Sequence, residues 1–259
     1  MDSKFIPYLT ELAAKYSVAG DVRVELEEGA VKVACDKGCY RFFYDFAKEL
    51  PQDEYKNVPL YHWQLKRRYV ELRNILDTQM VVNALAMRIH HIVSRDEFTK
   101  SLKDIIVFES NLVEFVTHQK IEKVFSDFSA DVYTNCIMST DGNVKVSMEL
   151  GFSPEGSEPV LLHEIIGKNG LACDMVVDTQ VQQYPIYVFK GKETLKYTDI
   201  DAELYDMDNA QVDSVRFILW ALTDISRIDE LCENYAHIEK VYEAALAANA
   251  NVRYTKVEG

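Results

Sequence analysis

VLLHEIIGKNGLACDMVVDTQVQQYPIYVF, residues 160–189, is the stretch on which the reading of this chain turns. An apolar run, Val160–Ile166, ends in Gly167-Lys-Asn-Gly170. Glycine and asparagine adopt the backbone conformations that tight turns need. A second run, Leu171–Val177, follows, and a third, Ile186–Phe189, lies beyond it. Runs of this length bounded by turn residues predict strand, turn, strand and a further strand.

Upstream, the chain has a period of two from Ile121. Val132, Thr134, Cys136 and Met138 alternate with Tyr133, Asn135 and Ile137. Asp141-Gly142-Asn143 supplies a hairpin turn. Val144, Val146, Met148 and Leu150 then carry the alternation back. Thr194–Tyr197 is a further strand, and Val212–Leu222 and Asp229–Ala248 are predicted as closing helices, with Val252–Tyr254 as a last short strand. Between Leu60 and Lys120 the pattern reads as mainly helical, with Leu65, Tyr69, Leu72, Leu76 and Met80 on one stripe. Ser94 and Glu97 have the form of a capping box, and Leu102–Val116 reads as one buried helix. At the N-terminus, Phe5, Leu9, Leu12, Ala13 and Tyr16 have helical spacing. Asp21–Leu26 and Ala30–Cys35 form a hairpin, Cys39–Leu50 enters a helix, and the polar segment Pro51–Pro59 serves as a linker. The expected fold class is α+β: a large, mostly antiparallel sheet with helices on one face. A small helix–hairpin–helix unit over residues 1–57 precedes the main domain, residues 58–259.

A formal net charge of −14 disfavours nucleic-acid phosphates and anionic membranes as partners. No apolar run reaches the roughly 20 residues that span a bilayer. The first residues lack a basic region followed by an apolar core, so the expected location is cytoplasmic. The five cysteines are scattered and odd in number, unlike a disulfide framework. Cys35 and Cys39 lack a second Cys or His pair for a metal.

The elements from about Asp104 to Tyr254 resemble the C-terminal domain of the Gfo/Idh/MocA family of sugar and inositol oxidoreductases. Asp104-Ile-Ile-Val-Phe-Glu-Ser-Asn-Leu is similar to the helix that opens that domain, and Ala130–Leu150 to its first long hairpin. His163-Glu-Ile-Ile-Gly-Lys-Asn-Gly-Leu is similar to its strand, glycine turn and strand. Phe217-Ile-Leu-Trp-Ala-Leu, Ile238-Glu-Lys-Val-Tyr-Glu-Ala-Ala and Asn251-Val-Arg-Tyr are similar to its closing helices and last strand.

The departures narrow what the resemblance implies. Family members carry a Gly-x-Gly-x-x-Gly turn that cradles a dinucleotide pyrophosphate, and this sequence has none. The family's Glu-Lys-Pro segment is absent too. Where the opening helix commonly has Asp, His and Asp, this chain has Asp104, Phe108 and Asn111. Phe cannot transfer a proton, and Asn cannot act as a base. A register shift of one residue places Glu109 at the histidine position.

The candidate catalytic residues are therefore His163, Glu164, Asp178 and Glu109, and the candidate ligand-binding residues are His163, Gln180 and Gln182. His163 and Glu164 are neighbours in a strand and face opposite ways. His163 is expected on the exposed sheet face, where it either binds a ligand or packs across strands. Asp174, Asp178 and the glutamines that follow either meet sugar hydroxyls or cap strand ends. His90-His91 are read as a helix end without metal-ligand spacing. The acidic run Asp199–Asp208 lacks the glycine and terminal glutamate of a calcium loop. Tyr61, Trp63 and Tyr69 with Arg67 and Arg68 are read as a helix packed on the sheet with its arginines outward.

No cofactor and no metal are expected. The resemblance implies a relative without a nicotinamide site, acting as a binding or assembly subunit that forms a homodimer through its sheet face. Two alternatives stand beside it: an enzyme acting on a sugar or cyclitol without nicotinamide, and a subunit whose dinucleotide domain comes from a full-length oxidoreductase partner.

Overall fold

In the computed structural model, residues 4–154, 159–174, 186–190, 193–197 and 207–257 are described. Asp178, Gln180, Gln182 and most of the acidic run lie outside them. Helix α1 (Phe5–Lys15) comes first, followed by strands β1 (Arg23–Glu27), β2 (Ala30–Cys35), β3 (Gly38–Phe43) and β4 (Lys56–Pro59). These strands form one sheet in the order β1-β2-β3-β4. The segment expected as a helix from Cys39 begins as β3. Its Tyr40, Phe42 and Phe43 favour a pleated surface and pair with β2. The polar segment read as a linker contributes β4, which runs parallel to β3.

A short 3₁₀ turn (His62–Leu65) leads to α2 (Arg67–Asp77), then β5 (Ala84–Val93). β5 corrects the helical reading of that region and of His90-His91. Met87, Ile89 and His91 are buried while Arg88 is exposed and His90 half-exposed, a period of two. Helix α3 (Leu102–Thr117) starts at Ser101, whose hydroxyl accepts from the Asp104 amide while the Asp104 carboxylate accepts from the Ser101 amide. The capping box is thus Ser101 with Asp104, not Ser94 with Glu97. Asp104 Oδ1 also accepts from the Phe46 amide at 2.9 Å, tying the first sheet to α3.

Beyond α3 come β6 (Ile121–Ser129), β7 (Tyr133–Thr140), β8 (Lys145–Phe152), β9 (Val160–Gly167) and β10 (Gly170–Cys173). In the β7–β8 turn Asn143 takes a left-handed conformation, φ 66°. A Cβ on the adjacent Gly142 would collide with the Gln119 side chain. The strands β11 (Ile186–Lys190) and β12 (Glu193–Tyr197) pair with each other. Helices α4 (Asn209–Thr223) and α5 (Ser226–Asn251) close the fold, and the last strand, β13 (Thr255–Lys256), lies just beyond the expected Val252–Tyr254.

The main sheet has seven strands in the order β10-β9-β5-β8-β7-β6-β13. All pairings are antiparallel except β5 with β8. The fold is α+β, as the sequence indicated. Helix α3 packs on β5 and β8, and α5 on β6. The inner face is apolar, with Met87, Ile89, Cys136, Met138, Val146, Met148 and Ile165 at 0–1% exposure. Arg88, His90, Glu149 and Glu164 project from the other face, where Arg88 meets Glu164 at 3.7 Å and His90 meets Glu149 at 3.2 Å. One apolar core joins the two larger sheets through Phe43, Phe46, Tyr61 and Trp63.

Candidate functional site

Helix α3 is buried nearly all round; its buried residues include the apolar Ile105, Ile106, Val107, Leu112, Val113 and Val116 and the polar Asp104, Asn111 and Glu114. Such a helix lies inside the protein. Glu109 sits in its middle with no exposure at all. An ionised carboxylate so placed needs charged or hydrogen-bonding partners. The inner face of the sheet supplies them. In the β5–β9 register His163 lies opposite Ile89 and Leu161 opposite His91, so His163 and His91 share that face as diagonal neighbours.

His163 Nε2 lies 3.1 and 3.2 Å from the two Glu109 oxygens. Its Nδ1 lies 2.6 Å from Asp174 Oδ2, and its backbone amide donates to Asp174 Oδ1 at 2.7 Å. Arg68 grips the same Asp174 oxygen through Nη2 at 2.6 Å and Nε at 3.1 Å. His91 Nδ1 lies 2.5 Å from Glu109 Oε1. The result is a chain of alternating charge, Arg68–Asp174–His163–Glu109, with His91 at its end.

Both ring nitrogens of His163 face carboxylates, so both donate and the ring is an imidazolium. Burial alone would push its pKa down, but the Glu109 charge and the Asp174 hydrogen bond raise it to about 9. Burial alone would raise Glu109; the His163 charge, with hydrogen bonds from His163 and His91, holds it at about 2. Asp174 is lowered despite its burial, chiefly by the His163 hydrogen bond.

A cavity of about 160 Å³ lies beside this cluster, with Phe46, His62, Trp63, Lys66, Tyr69, His91, Phe98 and Phe108 among its walls. His91 meets Glu109 through Nδ1, so its other ring nitrogen is Nε2. That nitrogen has no hydrogen-bond partner among the described residues. His62 is 6% exposed, its Nδ1 is buried, and its ring meets the Leu60 backbone. Burial, with the nearby Lys66 charge, pushes His62 down to about 3, so it is neutral. Trp63 and Phe108 pack ring to ring at 4.4 Å. His62 touches the Trp63 end of this wall at 5.3 Å and His91 the Phe108 end at 5.1 Å.

Two of the four catalytic candidates, Glu109 and His163, thus come together. His163 faces inward rather than lying on the exposed face, because β9 turns His163 and Ile165 to the helices. Glu164 points away, toward Arg88. Arg68 turns to Asp174, whereas Arg67 stays outward near Glu71. Phe108 and Asn111, at the positions where the family has acid/base groups, are packing and hydrogen-bonding residues here. Asn111 accepts from Trp63 Nε1 at 2.9 Å and donates to Asn234 at 2.8 Å. His91 and His62 were not among the sequence candidates. The alternation of Met87, Ile89 and His91 was the signal for the first; nothing in the sequence singled out the second. The cysteines of the described residues are free, and no group of His, Cys, Asp and Glu among the described residues is arranged to hold a metal ion. Nor is any helix there long and apolar enough to cross a membrane.

No protein-family model matches the sequence, and no curated protein matches it. Solved structures do match. An oxidoreductase from Agrobacterium radiobacter, in complex with NAD+, L-tartaric acid and magnesium, is similar with a TM-score of 0.59 at 11% identity, over 78% of this chain and 65% of that one. An oxidoreductase domain protein from Kribbella flavida gives 0.58 at 10% identity, over 79% and 67%. A scyllo-inositol dehydrogenase from Lactobacillus casei, with bound NAD(H) and scyllo-inositol, gives 0.53 at 12%, over 78% and 65%. The match therefore spans about two thirds of those chains. At such identity the likeness is one of fold, and the fold is that of the oxidoreductase type the sequence resembles. It takes in more of this chain than the segment from Asp104 to Tyr254.

Proposed function

We propose that this chain is a relative of the inositol and sugar oxidoreductases that binds a small polyhydroxylated molecule, without a nicotinamide site of its own. The observation that carries this reading is the cavity wall on which the imidazole rings of His91 and His62 flank the aromatic surface of Phe108 and Trp63. Hydroxyl groups both donate and accept, which suits a wall carrying two imidazoles. The C–H face of a ring or polyol chain suits Trp63 and Phe108. The structurally similar proteins from Lactobacillus casei and Agrobacterium radiobacter hold scyllo-inositol and L-tartaric acid, both polyhydroxylated. A thermal-shift titration checks it. At a hundred times the dissociation constant a polyol such as scyllo-inositol adds about 2.7 kcal/mol, or roughly 5–10 °C in a chain of this size. NAD+ adds nothing. A shift with NAD+ and none with any polyol would overturn the reading.

The outer face of the seven-stranded sheet fits the assembly role. Leu171 and Ile137 are 51% and 40% exposed there, and Leu162, Ile166 and Ile92 lie half-buried beside them. The paired charges Arg88–Glu164 and His90–Glu149 lie between. A self-complementary patch of this kind forms a two-fold dimer. Light scattering is expected to give twice the 29.8 kDa chain mass, and Ile137→Glu to give the monomer. A wild-type monomer at micromolar concentration would refute the dimer.

A second reading, an enzyme acting on the same ligand class without nicotinamide, is favoured by one observation. Glu109 fixes the ring of His91, a residue of the cavity wall, through a 2.5 Å contact to its Nδ1.

A further inference from the structure

We propose that Asn111 sets the selectivity of the cavity. By engaging the one polar atom of the Trp63 side chain it leaves a wall of carbon, which takes a polyhydroxylated ring only through a face of C–H groups. This rests on the cavity taking a polyhydroxylated ligand, and it names which rings qualify.

Trp63 is 3% exposed and belongs to the cavity wall. The indole nitrogen is the only polar atom of its side chain, and it can only donate. It donates to Asn111 Oδ1 at 2.9 Å, and Gln64 Nε2 donates to the same oxygen at 3.0 Å. Asn111 Nδ2 donates to Asn234 Oδ1 at 2.8 Å, and Asn234 Nδ2 to Glu114 Oε2 at 2.9 Å. The two ends fix the direction of this relay. The indole N–H has no lone pair with which to accept, and an ionised carboxylate has no proton to donate, so neither amide can be reversed. Glu114 is ionised, because burial raises its pKa but contacts with His237 and Lys120 lower it by more. Lys120 Nζ donates to Oε2 at 2.7 Å, and the Ile121 amide donates to Oε1 at 3.0 Å. The relay is thus anchored at the corner between α3 and β6. Asn111 and Asn234 stand behind the cavity wall rather than in it.

The wall around Trp63 is of the same kind. Phe108 packs on it at 4.4 Å and Phe46 at 6.1 Å, and Val93, Ile105 and Leu161 add further carbon. Asp104 also borders the cavity. Its oxygens already accept from the Phe46, Lys100 and Ser101 amides and from the Ser101 hydroxyl, at 2.7–3.0 Å. Asp96 is exposed and Lys66 is a third exposed, which puts the mouth of the cavity on their side. The cavity, about 160 Å³, is close to the ~150 Å³ that admits a benzene-sized ring. It has room for one six-membered ring lying against carbon.

A hydroxyl pressed onto such a wall gives up its water and finds no partner, so the full desolvation cost falls on binding. In scyllo-inositol every hydroxyl is equatorial, and each face of the chair carries only axial hydrogens. In chiro-inositol each face carries one axial hydroxyl, so neither face lies on carbon without stranding it. The wall therefore separates two isomers of the same mass, charge and hydroxyl count.

The test is calorimetric titration of wild-type protein and of Asn111→Leu with scyllo-inositol and D-chiro-inositol. It is paired with ¹H–¹⁵N NMR of the two indole N–H groups, in which the Trp63 signal is the one that survives Trp220→Phe. Wild-type protein is expected to bind scyllo-inositol about tenfold or more tightly than D-chiro-inositol, with the Trp63 N–H slow to exchange in D₂O. In Asn111→Leu the indole N–H has no acceptor and is free to meet a hydroxyl. Its resonance is expected to move, and the preference to shrink to about threefold or less. A general loss of packing would weaken both isomers alike and leave their ratio unchanged. Equal affinities in wild type, or an unchanged ratio in a folded Asn111→Leu, overturn the role of Asn111 and leave ligand binding intact. Should that variant not fold, the wild-type ratio and the Trp63 exchange rate decide, and a freely exchanging Trp63 N–H overturns the relay. Binding of neither isomer overturns both readings.

Discussion

Glu109→Gln is expected to lower the free energy of unfolding by about 3–5 kcal/mol. The substitution is nearly isosteric, so the loss comes from charge rather than from packing. With the carboxylate gone, the buried His163 imidazolium keeps only Asp174 as a counter-charge, and the new amide nitrogen faces ring N–H groups that need acceptors. Removing one partner from a buried ion network leaves the other uncompensated, which costs far more than the intact pair contributes. Glu164, next to His163 in sequence, is the control. It meets Arg88 at 3.7 Å on the open face, and an exposed pair of that kind contributes about 0–1 kcal/mol. Urea denaturation of both variants near pH 6 makes the comparison. A Glu109→Gln loss no larger than that of Glu164→Gln would mean that the network is not formed.

The second large effect is a fall in stability on the alkaline side. His163 is raised from its ordinary 6.5 to about 9 in the folded protein. Its contribution is complete below 6.5 and is lost as pH rises through 9, a difference on the order of 3 kcal/mol. Glu109, lowered from 4.5 to about 2, contributes fully above 4.5 and loses its contribution only as pH falls through 2. His62 acts in the opposite sense to His163. It stays neutral in the fold down to about 3, while the unfolded chain takes up a proton below 6.5. It therefore lowers stability as pH falls from 6.5 toward 3. The expected profile peaks near pH 6.5. His163→Gln is expected to flatten the limb from 6.5 to 9, and His62→Phe to flatten the acid limb. Urea midpoints measured from pH 5 to 9.5 check both. An alkaline limb that survives His163→Gln unchanged would assign it to other groups.

The main sheet was legible because its strands write their burial in single residues. The alternation of Thr134, Cys136 and Met138 with Asn135 and Ile137, and the turn at Asp141–Asn143, leave little choice of register. β5 was harder. It lies in the sheet between β9 and β8, far from its neighbours in sequence, and its flanks are helical. Only Met87, Ile89 and His91 against Arg88 and His90 mark it as a strand. Reading it as a helix placed His91 at a helix end and hid it from the site. Glu109 was nameable only because a register shift of one residue places it at the histidine position of the resembled family. Which partners it finds is decided by the pairing of β5 with β9, and no local pattern encodes that pairing. His62 was illegible for a different reason. Its significance lies in what surrounds its ring, and its neighbours Phe98 and Lys66 converge on it only in the fold.

The most direct test of the ligand site is imidazole ¹⁵N NMR of the wild-type protein during titration with scyllo-inositol. The His91 ring-nitrogen resonances are expected to move saturably as ligand is added. His163 should stay doubly protonated and unmoved throughout. A His91 signal that does not respond while the protein remains folded, or a His163 signal that responds in its place, would contradict a cavity site built on His91.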